Sequence, residues 1–146
     1  MNLNRLINNL NSTLSRTTSI NIAYDIVKQY NGIDWTKYAS KHNSFDKKLL
    51  YYTDTYEMFL FSWPKGYSGN YYSHPHDGYI VKLMSGKLYR TNIKQNIINE
   101  LNKSDIIICD SNNVFHINSP IESHSLHIYS KRVGEFQFTR EGIGRF

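Results

Sequence analysis

The chain has 146 residues, 40% of them hydrophobic and 20% charged, with 17 Lys+Arg against 12 Asp+Glu and a net charge of +5. That is enough material for one core and too little for two, so a single domain spanning residues 1–146 is expected. No window approaches eighteen apolar residues, Met1 to Leu10 is Asn-rich where a secretory leader would be apolar, and the adjacent basic pairs are Lys47-Lys48 and Lys131-Arg132; membrane span, secretion and nucleic-acid binding therefore lose support, and a cytoplasmic protein is expected.

The N-terminal 44 residues carry a helical pattern. Leu3, Leu6, Ile7, Leu10 and Leu14 fall at helical spacing, followed by Ile22, Ala23, Ile26, Val27 and Tyr30, which predicts two short helices. Asn31-Gly32 ends the second, and Asp34 is placed to cap a further turn through Trp35 to Tyr38. From about Lys48 the period becomes two. Tyr51 to Trp63 reads as one long strand or as a hairpin around Thr53-Asp54, broken by Pro64-Lys65-Gly66. Tyr79 to Met84 and Lys87 to Thr91 flank Ser85-Gly86, a spacing suited to a tight hairpin. Ile106 to Cys109, Val114 to Ile117, Ser125 to Ser130 and Glu135 to Thr139 follow as short strands, with Asn96 to Leu101 the one segment that could be helical. Short strands at this spacing indicate a mainly β fold: a helical lead over 1–44 attached to an antiparallel sandwich or barrel over 45–146.

A single cysteine, Cys109, cannot form an internal disulfide or a cysteine-type zinc cluster, so any metal must be held by His, Asp or Glu. Of six histidines, five lie in the barrel half. His74-Pro75-His76 has period-two spacing, which puts both imidazoles on one face of an extended segment. His116 closes the apolar Val114-Phe115 stretch and makes a plausible third ligand, since an imidazole buried there needs a hydrogen bond or a metal. Two histidines from one strand and a third from a distant strand form the ligand layout of cupins, a jelly-roll family. The carboxylate that usually joins them is absent, because Tyr79 stands in its slot and Asp77 would point to the opposite face. Three neutral ligands leave the charge of a ferrous ion uncompensated, which suits an anionic substrate such as a thiolate, with room for dioxygen.

Ser125-Leu126-His127-Ile128-Tyr129 alternates strictly, placing Ser125, His127 and Tyr129 on one face. Each of these side chains both donates and accepts, so the three can form a buried relay in which Ser125 orients His127 and His127 passes a nitrogen to the Tyr129 phenol. His42 and His124 read as surface histidines, Cys109 as a small buried hydrophobe, Trp35 and Trp63 as core or pocket-wall aromatics, and Lys82 as a residue snorkelling to the barrel rim.

From about Phe45 to Ser130 the chain resembles the cysteine dioxygenases, three-histidine iron cupins that add both atoms of dioxygen to a thiol. The resemblance is carried by Trp63-Pro64-Lys65-Gly66, His74-Pro75-His76, Lys82 to Leu88 and, most specifically, Ser125-Leu126-His127-Ile128-Tyr129-Ser130. It implies a cupin-type jelly roll, Fe(II) held by His74, His76 and His116, a relay of Ser125, His127 and Tyr129 beside the iron, and a small thiol and O2 as partners; separately, a monomer is expected. The chain departs from the family at three positions. Tyr79 stands at the cysteine that some members cross-link to the relay tyrosine. Lys47, with Lys48 as the alternative, stands at the arginine that grips the substrate carboxylate, keeping the charge without the bidentate fork. Lys131 replaces the proline after the relay. Non-catalytic binding of a metal or small ligand is the other reading the sequence leaves open.

Overall fold

The structure, a computed structural model, describes residues 1–15, 17, 19–72, 77–109 and 114–131. Helix α1 (Leu3–Leu14) starts at Asn2, whose side chain accepts from Arg5 N at 2.9 Å, and it buries Leu3, Leu6, Leu10 and Leu14 on one stripe. A 3-10 turn over Ile20–Ala23 leads into α2 (Tyr24–Gln29), and a second covers Asp34–Tyr38. Asp34 does not cap that second turn, whose N-terminus has no side-chain partner. Its carboxylate instead accepts from Leu3 N and from the Tyr30 hydroxyl, each at 2.7 Å, so it satisfies an otherwise open donor of α1 and ties the first helix to the second.

The strands are β1 (Asp46–Tyr52), β2 (Tyr56–Trp63), β3 (Tyr67–Tyr72), β4 (Tyr79–Ser85), β5 (Lys87–Asn92), β6 (Ile97–Asn102), β7 (Ile106–Cys109), β8 (Val114–Ser119) and β9 (Ser123–Ser130). They form two antiparallel sheets, one in the order β1-β2-β9-β4-β7 and the other β3-β8-β5-β6. The first sheet is covered on both sides, which is why every residue of β2 and β9 is buried. Met58, Leu60, Ile80, Leu126 and Ile128 pack outward against the helices with Leu6, Leu10 and Val27. Phe59, Phe61, Trp63, Tyr79, Val81 and Leu83 face inward against Leu88, Leu101, Phe115 and Ile117 of the second sheet. The mainly β architecture with a helical N-terminal segment is thus the expected one. No helix among the described residues is long and apolar enough to cross a membrane.

Several local expectations are corrected. Tyr51 to Trp63 is a hairpin, β1 and β2, in the second of the two forms considered. Ser85-Gly86 is not a hairpin turn: β4 and β5 lie in different sheets, and Gly86, at φ +86°, turns the chain around the corner between them. Asn96 to Leu101 is not helical, because Ile97–Asn102 pairs along its length with β5. Glu135 to Thr139 lies outside the described residues. His124 is buried, not superficial, since the helices cover its face of β9; it bonds Ser85 Oγ at 2.8 Å and packs on Trp35 at 5.2 Å.

Lys82 does not snorkel to the rim. It shares the helix-facing side of β4, and its buried ammonium donates to the carbonyls of Val27 and Lys28, each at 3.2 Å, and of Tyr30. These carbonyls lie at the end of α2, where Val27 O also accepts from Tyr30 N at 3.1 Å, so the barrel itself supplies a cation at the helix C-terminus. Replacing Lys82 by Met keeps the length and removes the donors. It should lower the unfolding free energy by about 2 kcal/mol, measured by urea denaturation, and an unchanged midpoint would show that the contact is energetically idle.

Candidate functional site

The central strand β9 carries a linked polar constellation inside the barrel. Its alternation puts Ser125, His127 and Tyr129 on the inner face, where they are 0%, 1% and 6% exposed. Ser125 Oγ lies 2.7 Å from His127 Nε2, and His127 Nδ1 lies 2.9 Å from the Tyr129 hydroxyl. Trp63, from β2, adds a fourth member: its Nε1–H donates to Ser125 Oγ at 2.8 Å. An indole nitrogen can only donate, and the direction that satisfies each group in turn runs Trp63 to Ser125 to His127 Nε2, then from His127 Nδ1–H to Tyr129. This assigns the Nδ1–H tautomer to His127 from the network. It leaves the phenol proton of Tyr129 as the donor end of the chain.

Neighbouring strands hold the relay in place. His127 stacks on Phe61 at 3.9 Å and 14°. Tyr129 lies in register with Glu57 of β2 and Tyr79 of β4, with the Tyr79 ring centroid 5.2 Å away. A second phenol, that of Tyr79, is therefore adjacent to the relay tyrosine.

Burial pushes the His127 pKa well below its ordinary value, and the positive charges of Lys47 and Arg90 push it the same way. The ring is neutral in the folded protein. The unfolded chain takes up a proton near pH 6.5 that the folded chain refuses, so stability should fall on acidification below that pH, by up to about 1.4 kcal/mol per unit from this residue. His124, also depressed by burial, adds to the trend. Replacing His127 by Gln should flatten the acid limb of a stability–pH curve; an unchanged slope would contradict a buried neutral ring.

Lys47 enters the barrel from β1, in register with Phe61. Its ammonium rests 4.5 Å from the Phe59 ring centroid, and burial lowers its pKa to about 8 against the opposing pull of Glu57. Lys48 is exposed, so of the two adjacent lysines it is Lys47 that faces the interior.

The three-histidine set fares differently. His74 and His76 lie outside the described residues. His116 sits in the middle of β8 instead of closing an apolar stretch, and alternation turns it away from the barrel, because Phe115 and Ile117 take the inner face. On the outer face both its ring nitrogens are engaged at 2.8 Å, Nε2 with Ser68 and Nδ1 with Asn70. In this geometry His116 does not fit as an iron ligand beside the relay. Among the described residues, no three His, Cys, Asp or Glu side chains come together as a metal site.

Two interior residues escaped the sequence reading. Arg90 is 6% exposed, facing inward on β5 with its guanidinium 3.6 Å over the Phe115 ring. Its signal was the alternation Leu88, Arg90, Asn92, which the strand assignment already contained. Glu57 is 7% exposed, the one acid in the apolar run Tyr56 to Trp63 and in phase with Phe59, Phe61 and Trp63.

No family model matches the chain, and no curated protein does. Solved structures do. A cupin superfamily protein from Desulfitobacterium hafniense aligns over 63% of this chain and 82% of its own, with 16% identity and TM-score 0.55. An RmlC-like cupin from Shewanella frigidimarina aligns over 66% and 84%, with 12% identity and TM-score 0.52. A protein with a double-stranded β-helix domain from Klebsiella pneumoniae aligns over 73% and 93%, with 15% identity and TM-score 0.59. The fold is therefore that of the cupins, a jelly roll. At these identities the likeness speaks for architecture, not for activity.

Proposed function

We propose that the chain is a cupin-type thiol dioxygenase that oxidises L-cysteine or a close analogue with O2 to the sulfinic acid. The observation that carries this reading is the buried donor chain from Trp63 through Ser125 and His127 to Tyr129. A half-buried strand with a merely polar side would not hold three such groups in sequence inside an aromatic core. In this reading Tyr129 holds a proton at its phenol oxygen and donates it to the oxygen-bearing atoms of the substrate. His127 fixes the phenol's orientation, Ser125 fixes the imidazole, and Trp63 sets the direction of the chain. Lys47 supplies a point charge for a substrate carboxylate, and with a pKa of about 8 its hold on a carboxylate should weaken as the pH rises through that value.

Fe(II) is the cofactor this reading calls for, supplying activation of dioxygen when bound. His74 and His76 are its candidate ligands, and His116 in its outward position does not fit as the third. That position is also the specific observation favouring the second reading, a cupin that binds a small ligand without catalysis. Iron content together with oxygen uptake on L-cysteine, cysteamine and 3-mercaptopropionate separates the two. Uptake with at least one thiol is expected, and an iron-replete protein that turns over none of them would refute the enzymatic reading.

A further inference from the structure

His116, misplaced as an iron ligand, is the centre of a second constellation. On the outer side of the second sheet Ser68, Asn70 and Asn118 are exposed and His116 is half-buried. Asn70 lies in register with His116, and Ser68, two residues earlier on β3, is the diagonal neighbour on the same face, a spacing that lets one imidazole reach both side chains. Asn70 Oδ1 can only accept, so His116 Nδ1–H donates to it at 2.8 Å. The ring proton is thereby assigned to Nδ1, and the lone pair of Nε2 accepts from the Ser68 hydroxyl at 2.8 Å. A hydroxyl held by an imidazole whose other nitrogen is oriented by a third group is the arrangement of an activated serine.

We propose that Ser68, His116 and Asn70 form an acyl-transfer site on this outer face, with small activated esters and thioesters as substrates. His116 Nε2 takes the Ser68 proton as Oγ bonds the acyl carbon and the carbonyl electron pair moves onto its oxygen. Collapse of that intermediate breaks the bond to the leaving alcohol or thiol, which carries away the proton from Nε2. A water deprotonated by His116 then releases the carboxylic acid and restores Ser68. Asn118 lies opposite Ser68 on β8, and its side-chain amide is the donor for the oxyanion. Asn70 is a positioning residue: it fixes the tautomer of His116 and brings no negative charge to the imidazolium. An exposed face selects by leaving group more than by acyl-chain length, which is why the substrates are small and activated. The site lies on the far side of the second sheet from the Ser125–His127–Tyr129 relay and stands independently of the dioxygenase reading.

The test is reaction of the full chain with 4-nitrophenyl acetate, following nitrophenolate release and locating the acetyl group by peptide mass mapping. Wild-type protein should give a burst stoichiometric with the chain and carry the acetyl group on Ser68. His116→Ala should slow acetylation of Ser68 by about a hundredfold, the scale of a lost general base, and Ser68→Ala should abolish the burst. Asn70→Asp separates positioning from mere structure: a carboxylate accepts from Nδ1–H and also favours the imidazolium, so this variant should acylate at least as fast as the wild type and Asn70→Ala more slowly. The replaced side chains lie on an outer sheet face, and thermal midpoints close to the wild type should show that the variants are folded; if His116→Ala does not fold, the wild type with Ser68→Ala and Asn70→Asp decides. Acetyl groups found on lysines or the N-terminus and not on Ser68, Ser68 acetylation undiminished by loss of His116, or Asn70→Asp as slow as Asn70→Ala would overturn the assignment.

Discussion

Replacing Tyr129 by Phe is expected to cut oxygen uptake with cysteine by about a hundredfold or more, the usual scale for losing a positioned proton donor. The substitution deletes one oxygen atom at the end of the Trp63–Ser125–His127 chain and leaves the ring where it packs, between Phe59 at 5.8 Å and Tyr79 at 5.2 Å. The fold should therefore survive, with a thermal midpoint close to that of the wild type. The loss should fall on kcat more than on KM, because Lys47 and not the phenol carries most of the charge that holds a substrate carboxylate. The His127 Nδ1–H would be left without its acceptor, a modest cost in stability and a second sign that the relay is intact in the parent. Undiminished turnover by the Tyr129→Phe variant would remove Tyr129 from the chemistry and leave the relay as a structural network.

Gly86→Ala should be the most damaging single methyl in the described chain. Gly86 adopts φ +86° at the corner where β4 leaves one sheet and β5 enters the other. A Cβ there would stand 2.1 Å from Ser123 Oγ, 2.5 Å from the Glu122 carbonyl oxygen and 2.7 Å from Ser123 Cα. Two of these three atoms are backbone and cannot rotate away. Ser123 Oγ is itself committed, accepting from Lys87 N at 2.9 Å and lying 3.0 Å from Lys87 O. Left-handed strain and overpacking together should cost about 3 kcal/mol or more, seen as a lower urea midpoint. A variant as stable as the parent would mean that the corner is looser than its contacts show.

Much of this was legible in the chain's pattern. Alternation in Ser125–Tyr129 fixed which side chains share a face, and because a strand's period is two, no packing detail was needed to bring Ser125, His127 and Tyr129 into one line. The helical stripe Leu3, Leu6, Leu10, Leu14 was equally readable, since it depends on spacing alone. What failed depended on the assignment of strands to sheets. Ser85-Gly86 has the composition of a hairpin turn, and nothing local shows that β5 leaves the sheet of β4. The helical cover over β9 and β4 likewise decides that His124 and Lys82 are buried, and that cover comes from residues about fifty to a hundred positions away. His116 was misjudged by phase: reading it as the end of an apolar stretch hid that Phe115 and Ile117, on either side of it, would take the core.

Supplying the iron-loaded protein and L-cysteine with isotopically heavy dioxygen, and determining the mass of the sulfinic acid formed, tests the central claim most directly. The account predicts that both oxygen atoms of the new sulfinate group carry the label. Unlabelled or singly labelled sulfinate, or the absence of any oxidised product, would contradict it.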